Sequence, residues 1–263
     1  MDIYVRVSRL PDPDSREVAS ELYMYPGGAA LNYAVMVSTL GHEAYLTASV
    51  GKDPLGEIII EYLRKVGVKL DYVHLSENVH TGTVIVLLDE QGLKYMIAYP
   101  GANMEIKIPR KFDAKFDLVY IVVAEPNILE EALKVLSKYR YPVSLGLRPQ
   151  IAVRGIRYLA ELRRLLGDEF FTLFLNRPEL TYLTGTVNIN EALDILKKNV
   201  VGIISREVVV TLGEEGSIIL LEDNNVEKIQ AVKLGQPVDT TGAGDVYAAV
   251  YNLARLQGLD ARE

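Results

Sequence analysis

The chain of 263 residues contains no cysteine and no tryptophan, only three histidines and only five phenylalanines. Without cysteine there are no disulfides, no thiolate metal sites and no cysteine nucleophile, which suits a reducing setting; the cytoplasm is the expected compartment. The three histidines, His42, His74 and His80, lack the H-x-x-x-H spacing of a metal-binding helix face and read as surface or structural residues. No apolar run approaches the ~20 residues that cross a bilayer, and the first residues, Met1-Asp2-Ile3-Tyr4-Val5-Arg6, are charged at once, so no membrane association is expected. A net charge of −7, with both signs interspersed, offers no basic stripe for a phosphate backbone, and nucleic acid is not an expected partner. Internal repeats, low-complexity tracts and linkers are also missing.

What remains is a chain that is 49% hydrophobic, enough for one large α/β core with a small appendage. The small, apolar stretch 28–41 reads as a buried helix ending at Gly41. Tyr45, Thr47 and Ser49 alternate as in a strand. Asp53 as cap and Pro54 at the first helical position open a second helix, whose Ile59, Tyr62, Leu63 and Val66 fall on one face before Gly67. The β-branched and aromatic runs Thr81–Asp89 and Leu93–Tyr99 flank Glu90-Gln91-Gly92 as in a hairpin. From Asp117 onward strands (118–123, 143–147, 170–175) alternate with helices, one capped by Asn127 with Glu130 and one over 151–166, which implies a parallel sheet. Val208–Leu212 and Ser217–Leu221 surround the turn 213–216, and a last helix starts near Gly242.

Most of the chemistry lies in Asp239-Thr240-Thr241-Gly242-Ala243-Gly244-Asp245. A glycine-rich turn entering a helix presents backbone N–H groups at the positive end of the helix dipole, which attracts anions. An aspartate just behind it can accept a proton from a hydroxyl while those N–H groups stabilise a transferring phosphoryl group. Taken alone, G-x-G-D is more often a tight turn with a dipole-complementing acid. Near the N-terminus, Gly27 and Gly28 allow close backbone approach, and Asn32 offers both a donor and an acceptor suited to a polyol. Asn176-Arg177-Pro178-Glu179 after a strand is, by itself, an ordinary helix start with cap, proline and N3 acid. Thr211-Leu212-Gly213-Glu214-Glu215-Gly216 is, by itself, a common strand turn.

Together these stretches resemble the ribokinase-like (phosphofructokinase B) family of carbohydrate and nucleoside kinases. D-T-T-G-A-G-D is similar to its C-terminal signature, and Gly27-Gly28-Ala29-Ala30-Leu31-Asn32-Tyr33-Ala34 with Leu40-Gly41, Val50-Gly51, Asp53 and Gly56 to its N-terminal one. Asn176 to Glu179 resembles its N-x-x-E motif, Thr211 to Gly216 its T-L-G-x-x-G turn, and Pro100-Gly101-Ala102-Asn103 the P-G-A-N of ribokinases. The resemblance implies a single α/β domain, a ribokinase-like three-layer sandwich with a mostly parallel central sheet and a small β-sheet lid from about 2–25 and 81–100. It implies ATP and Mg²⁺ as cofactors, Asp245 as catalytic base, and Gly242, Ala243 and Gly244 as the anion hole. Asp2, Gly27, Gly28 and Asn32 would bind substrate. Asn176 and Glu179 would position magnesium and phosphate, and Thr211, Gly213 and Gly216 would contact nucleotide. Asp239 and Thr241 match donors to a monovalent cation such as K⁺, although Asp239 equally suits a turn. A sugar, weighted by P-G-A-N, is the first expectation for the substrate and a nucleoside the second, with a homodimer through the lid.

Three departures from the family pattern bear on this reading. The apolar strand that usually precedes the substrate aspartate is absent before Asp2, and the family usually continues for some tens of residues beyond the equivalent of Asp245. Leu145-Gly146-Leu147-Arg148-Pro149 occupies a strand end where relatives often carry an aspartate. An incomplete chain, or a non-catalytic ligand-binding relative, is therefore the alternative expectation.

Overall fold

The computed structural model describes the chain except for residues 13, 91–92, 169, 224, 233–234, 236–239 and 262–263. The described residues fall into two compact units, Met1–Lys107 and Ile108–Glu263.

The first unit runs β1 (Asp2–Arg6), β2 (Glu21–Tyr25), α1 (Ala29–Thr39), β3 (Ala48–Gly51), α2 (Pro54–Val66), β4 (Val73–Ser76), β5 (Thr83–Leu88) and β6 (Lys94–Tyr99). Four of these strands form a small mixed sheet in the order β2-β1-β5-β6, with β1 antiparallel to β2 and parallel to β5. The expected hairpin is β5–β6, antiparallel from Thr83↔Tyr99 to Leu88↔Lys94. Its turn residues Gln91 and Gly92 lie outside the described residues. β3 and β4 form a separate parallel pair. Leu31, Ala34 and Val37 of α1 and Ile59 and Leu63 of α2 are buried, at the 3–4-residue spacing that puts them on one face. Asp53 caps α2 by accepting the Gly56 N–H at 2.8 Å, and Gly67 ends the helix in the left-handed conformation that glycine adopts without a Cβ penalty.

The second unit runs β7 (Val119–Ile121), α3 (Pro126–Leu136), β8 (Val143–Gly146), α4 (Pro149–Ala152), α5 (Gly155–Leu166), β9 (Phe170–Asn176), α6 (Arg177–Thr184), α7 (Ile189–Asn199), β10 (Ser205–Thr211), β11 (Ser217–Leu221), β12 (Val226–Ile229) and α8 (Ala243–Leu256). Its six-stranded sheet has the order β12-β11-β10-β9-β8-β7; β7 to β10 are parallel, and β11 and β12 antiparallel. Alternation along each strand separates two faces. Leu145, Leu173, Val208, Val210 and Ile218 pack with Leu133, Leu159, Leu162, Leu180 and Leu196 of the helices in one apolar core. Each fully buried leucine there contributes about 1.5–3 kcal/mol. The opposite face carries Ser144, Thr172, Phe174, Glu207 and Ser217 and receives α8, so helices cover both sides of the sheet.

Local differences from the sequence reading have local causes. The strand expected from Tyr45 begins at Ala48, and Tyr45 makes only an isolated bridge to Lys69. The helix expected over 151–166 is two helices, broken before Gly155, whose φ of +76° is incompatible with a continuous α-helix. α3 does not use Asn127 as its cap: Pro126 starts the helix after Glu125, and the Glu130 carboxylate accepts the Tyr158 hydroxyl at 2.9 Å instead. Among the described residues no helix is long and apolar enough to cross a membrane.

Candidate active site

The strongest local signal is the β9–α6 junction. Asn176 accepts the Glu179 N–H at 3.0 Å, and the Glu179 carboxylate accepts the Asn176 N–H at 2.9 Å, a reciprocal capping box. Glu179 is nevertheless only 5% exposed, unusual for a carboxylate whose whole role is to cap a helix. Burial pushes its carboxyl above the ordinary carboxylate range and the negative charge of Asp245 pushes the same way; the Asn176 N–H and the Arg148 guanidinium oppose them. Two acidic groups from distant parts of the sequence therefore sense each other's charge.

Asp245 sits in the first turn of α8, half-buried. Gly242 precedes that helix with φ +79°, which a glycine accommodates and which leaves the N-cap position without a side chain. The Ala243 N–H donates to the Thr240 carbonyl at 3.2 Å, whereas no atom of the described residues lies where a Cβ on Gly244 would point. Thr241 is exposed, and Asp239 lies outside the described residues.

The third segment ends β10. Thr211 is in register with Asn176 on β9 and with Ser217 on β11, so the two motifs lie side by side at one end of the sheet. Gly213 (φ +64°) and Gly216 (φ +91°) shape the turn between them, and the Leu212 N–H donates to the Gly216 carbonyl at 2.8 Å. A Cβ at Gly216 would collide with the Ile229 carbonyl. Arg177 of α6 pairs with Glu215 of this turn at 2.6 Å, and Ser217 shares a 2.9 Å hydrogen bond with Tyr247 of α8. The segments around Asn176, Thr211 and Asp245, separate in sequence, are thus tied together at one edge of the second unit.

In the first unit, Asp2 opens β1 opposite Tyr25, and a Cβ on Gly27 would run into the Asp2 carboxylate. Gly28, at φ +115°, immediately precedes α1, and the Asn32 N–H in its first turn donates to the Gly28 carbonyl at 2.9 Å. Asp53 does more than cap α2: it also accepts the N–H and hydroxyl of Thr81, each at 2.7 Å, and lies 3.3 Å from His80 Nδ1. Burial would raise its carboxyl, but these bonds win and hold it down at about 2. The Pro100–Asn103 turn is explained by packing: Gly101 and Ala102 are buried, and Asn103 fills the space that a Cβ on Gly82 would need.

A model of the pfkB family of carbohydrate kinases matches residues 1–263 of the chain. The chain belongs to that family. This pfkB kinase is 28% identical over 278 residues to a ribokinase of Arabidopsis thaliana, covering 100% of the chain and 70% of the relative. It is 26% identical over 262 residues to a nucleoside kinase of Methanocaldococcus jannaschii, covering 99% and 82%. The crystal structure of that nucleoside kinase superposes with a TM-score of 0.78 at 24% identity, covering 99% of this chain and 83% of the other. A structure of the Arabidopsis ribokinase complexed with ribose and ATP gives 0.70 at 24% identity, covering 99% and 84%. The fold of this pfkB kinase is accordingly ribokinase-like: an α/β architecture with a mostly parallel large sheet and a separate small one.

One residue beside the candidate site had no motif to announce it. Arg148 follows the end of β8 and carries the positive charge felt by Glu179; an arginine before proline at a strand end is the only sequence trace of it. Among the described residues there is no cluster of three or more histidine, aspartate or glutamate side chains poised for a metal. Glu179 and Asp245 nonetheless form an oxygen-only pair whose mutual repulsion a small divalent cation would relieve, a donor set that fits magnesium.

Proposed function

We propose that this pfkB kinase transfers the γ-phosphoryl group of ATP to a hydroxyl of a small sugar. The observation that carries the reading is the convergence of Asn176–Glu179, Thr211–Gly216 and Gly242–Asp245 at one end of the large sheet. Asp245 takes the proton from the acceptor hydroxyl. The oxygen then attacks the γ-phosphorus, the bond to the β-phosphate oxygen breaks, and ADP leaves. The α8 N-terminus at Gly242, Ala243 and Gly244 offers its dipole and N–H groups to the transferring group, the Ala243 N–H after leaving the Thr240 carbonyl. Thr211, Gly213 and Gly216 contact the nucleotide, while Asp2, Gly27, Gly28 and Asn32 bind the acceptor. Magnesium, held from the Glu179 side with Asn176 nearby, would neutralise phosphate charge. Thr241 and Asp239 are the proposed donors to a monovalent cation such as K⁺.

A nucleoside acceptor is the second reading, and one feature favours it. Tyr4 and Tyr25 meet edge-on at 6.2 Å and Tyr23 stacks on Tyr25 at 6.2 Å, giving an aromatic patch beside Asp2 on which a base can stack. The small sheet also exposes Leu22 (59%), Met24 (48%) and Ile97 (63%), which the register places on one face; we propose that a second copy covers it.

The test is ADP release with ATP and magnesium against D-ribose, D-fructose, adenosine, cytidine and inosine, beside an Asp245→Asn control. Turnover of one acceptor, reduced by orders of magnitude in the control, supports the reading and names the substrate. An unimpaired control removes Asp245 from the role of base, and silence of the folded chain on every acceptor rejects the kinase activity.

A further inference from the structure

The helix that carries Asp245 is seated on the sheet through polar groups rather than an apolar seam. Its sheet-facing positions are the small Ala248 and Ala249, both fully buried, together with Tyr251 and Asn252. Four strands address it. Ser144 of β8 donates to the Asn252 side-chain oxygen at 3.0 Å, with both residues fully buried. Phe174 of β9 meets the Tyr251 ring edge-on at 5.7 Å. Ser217 of β11 bonds Tyr247 at 2.9 Å. Glu207 of β10, 6% exposed, accepts the Tyr251 hydroxyl at 2.8 Å and the Arg255 guanidinium at 3.0 and 2.5 Å.

We propose that Glu207 is a positioning residue for phosphoryl transfer, locking α8 in rotation and along its axis through Tyr251 and Arg255 so that Asp245 and the helix N-terminus stay at that end of the sheet. The proposal rests on the kinase reading above. Three physical points support it. Apolar packing is non-directional and lets a helix slide, whereas a buried carboxylate with three donors is satisfied at one helix position only. Asp245 and Asn252 are seven residues apart and so lie within about 20° of each other around the helix, and Tyr251 is about 9 Å further along it than Asp245. Rotation fixed at Asn252 and Tyr251 is thereby transmitted to the carboxylate of Asp245. Finally, a buried charge on a mid-sheet strand is costly unless paired, and a leucine would fill the site more cheaply, so stability alone does not account for it. None of the motifs of the sequence includes Glu207, and it stands four residues before Thr211 on the same face of β10.

The experiment compares Glu207→Gln and Tyr251→Phe with the unmodified chain and with Asp245→Asn, measuring ADP release with MgATP and whichever of the five acceptors D-ribose, D-fructose, adenosine, cytidine and inosine is turned over. Tyr251→Phe loses only the hydroxyl and keeps its ring against Phe174. The expected result, well below each variant's Tm, is kcat lower by about tenfold or more for Glu207→Gln and by about threefold for Tyr251→Phe, with both KM values within about twofold. Folded variants with unchanged kcat would show Glu207 to be structural only and overturn the proposal. Should Glu207→Gln fail to fold, Tyr251→Phe decides alone by the same criterion. A dead Asp245→Asn beside unimpaired lock variants overturns the positioning role while sparing the base; normal turnover in Asp245→Asn, or an unmodified chain silent on all five acceptors, sinks both.

Discussion

Glu179 separates two readings of one local motif, because its carboxylate completes a helix cap and also faces a second acid. Replacement by alanine removes the acceptor of the Asn176 N–H, a bond of 2.9 Å at a site where Glu179 is 5% exposed. An orphaned N–H of this kind costs about 1–3 kcal/mol, and at about 2–4 °C per kcal/mol for a chain of this size Tm should fall by roughly 2–12 °C. Glutamine keeps an acceptor in the same place. It loses the favourable charge at the α6 N-terminus, worth about 0.3–1 kcal/mol, and is relieved of a buried charge repelled by Asp245, so its stability should lie within about 1 kcal/mol of the unmodified chain.

The dependence on pH sharpens the comparison. The folded carboxyl of Glu179 is raised, so the folded state binds the proton more tightly than the unfolded one. Its contribution is therefore full below the ordinary glutamate pKa and is lost as pH rises through the raised value, whereas the glutamine variant has no such slope. Urea unfolding from pH 4 to 7 should show the glutamine variant gaining on the parent as pH rises. Turnover should fall about a hundredfold in both variants, since both lack the carboxylate proposed to hold the magnesium that would neutralise phosphate charge. A glutamine variant that turns over normally would reduce Glu179 to a cap; one as unstable as the alanine variant would refute the stability reasoning.

Asp53, held at about 2 by Thr81 and Gly56, gives stability that is present above the ordinary aspartate pKa and lost as pH falls towards 2. Asp53→Asn should cost on the order of 1–3 kcal/mol at pH 7, with the gap to the parent closing below pH 4 in urea titrations; a gap that does not vary with pH would refute it. The exposed apolar face of the small sheet should pair two copies: sedimentation equilibrium is expected to give twice the 29.3 kDa chain mass, reduced to one by Ile97→Asp. A monomer in the unmodified chain rules the interface out.

Local chemistry was readable because it is written over a few adjacent residues. Asp53 and Pro54 opened α2, Gly67 closed it, and Asn176 with Glu179 formed the anticipated capping box, since caps and turns depend on backbone groups within four positions. Tyr45, Asn127 and the 151–166 run misled for the complementary reason: alternation and periodicity survive a shifted strand start, an earlier proline or a left-handed glycine. The family followed from ordered motifs spread over the chain.

By itself, then, the sequence determined the class of fold and the family, because local stereochemistry and motif order need no partner. Tertiary structure alone decided that Glu179 and Asp245 share a field, that Arg148 joins them, and that Glu207 grips the helix bearing Asp245. Electrostatic coupling depends on separation in space and on exclusion of water, and neither is set until parallel strands 30 or more residues apart are brought into register.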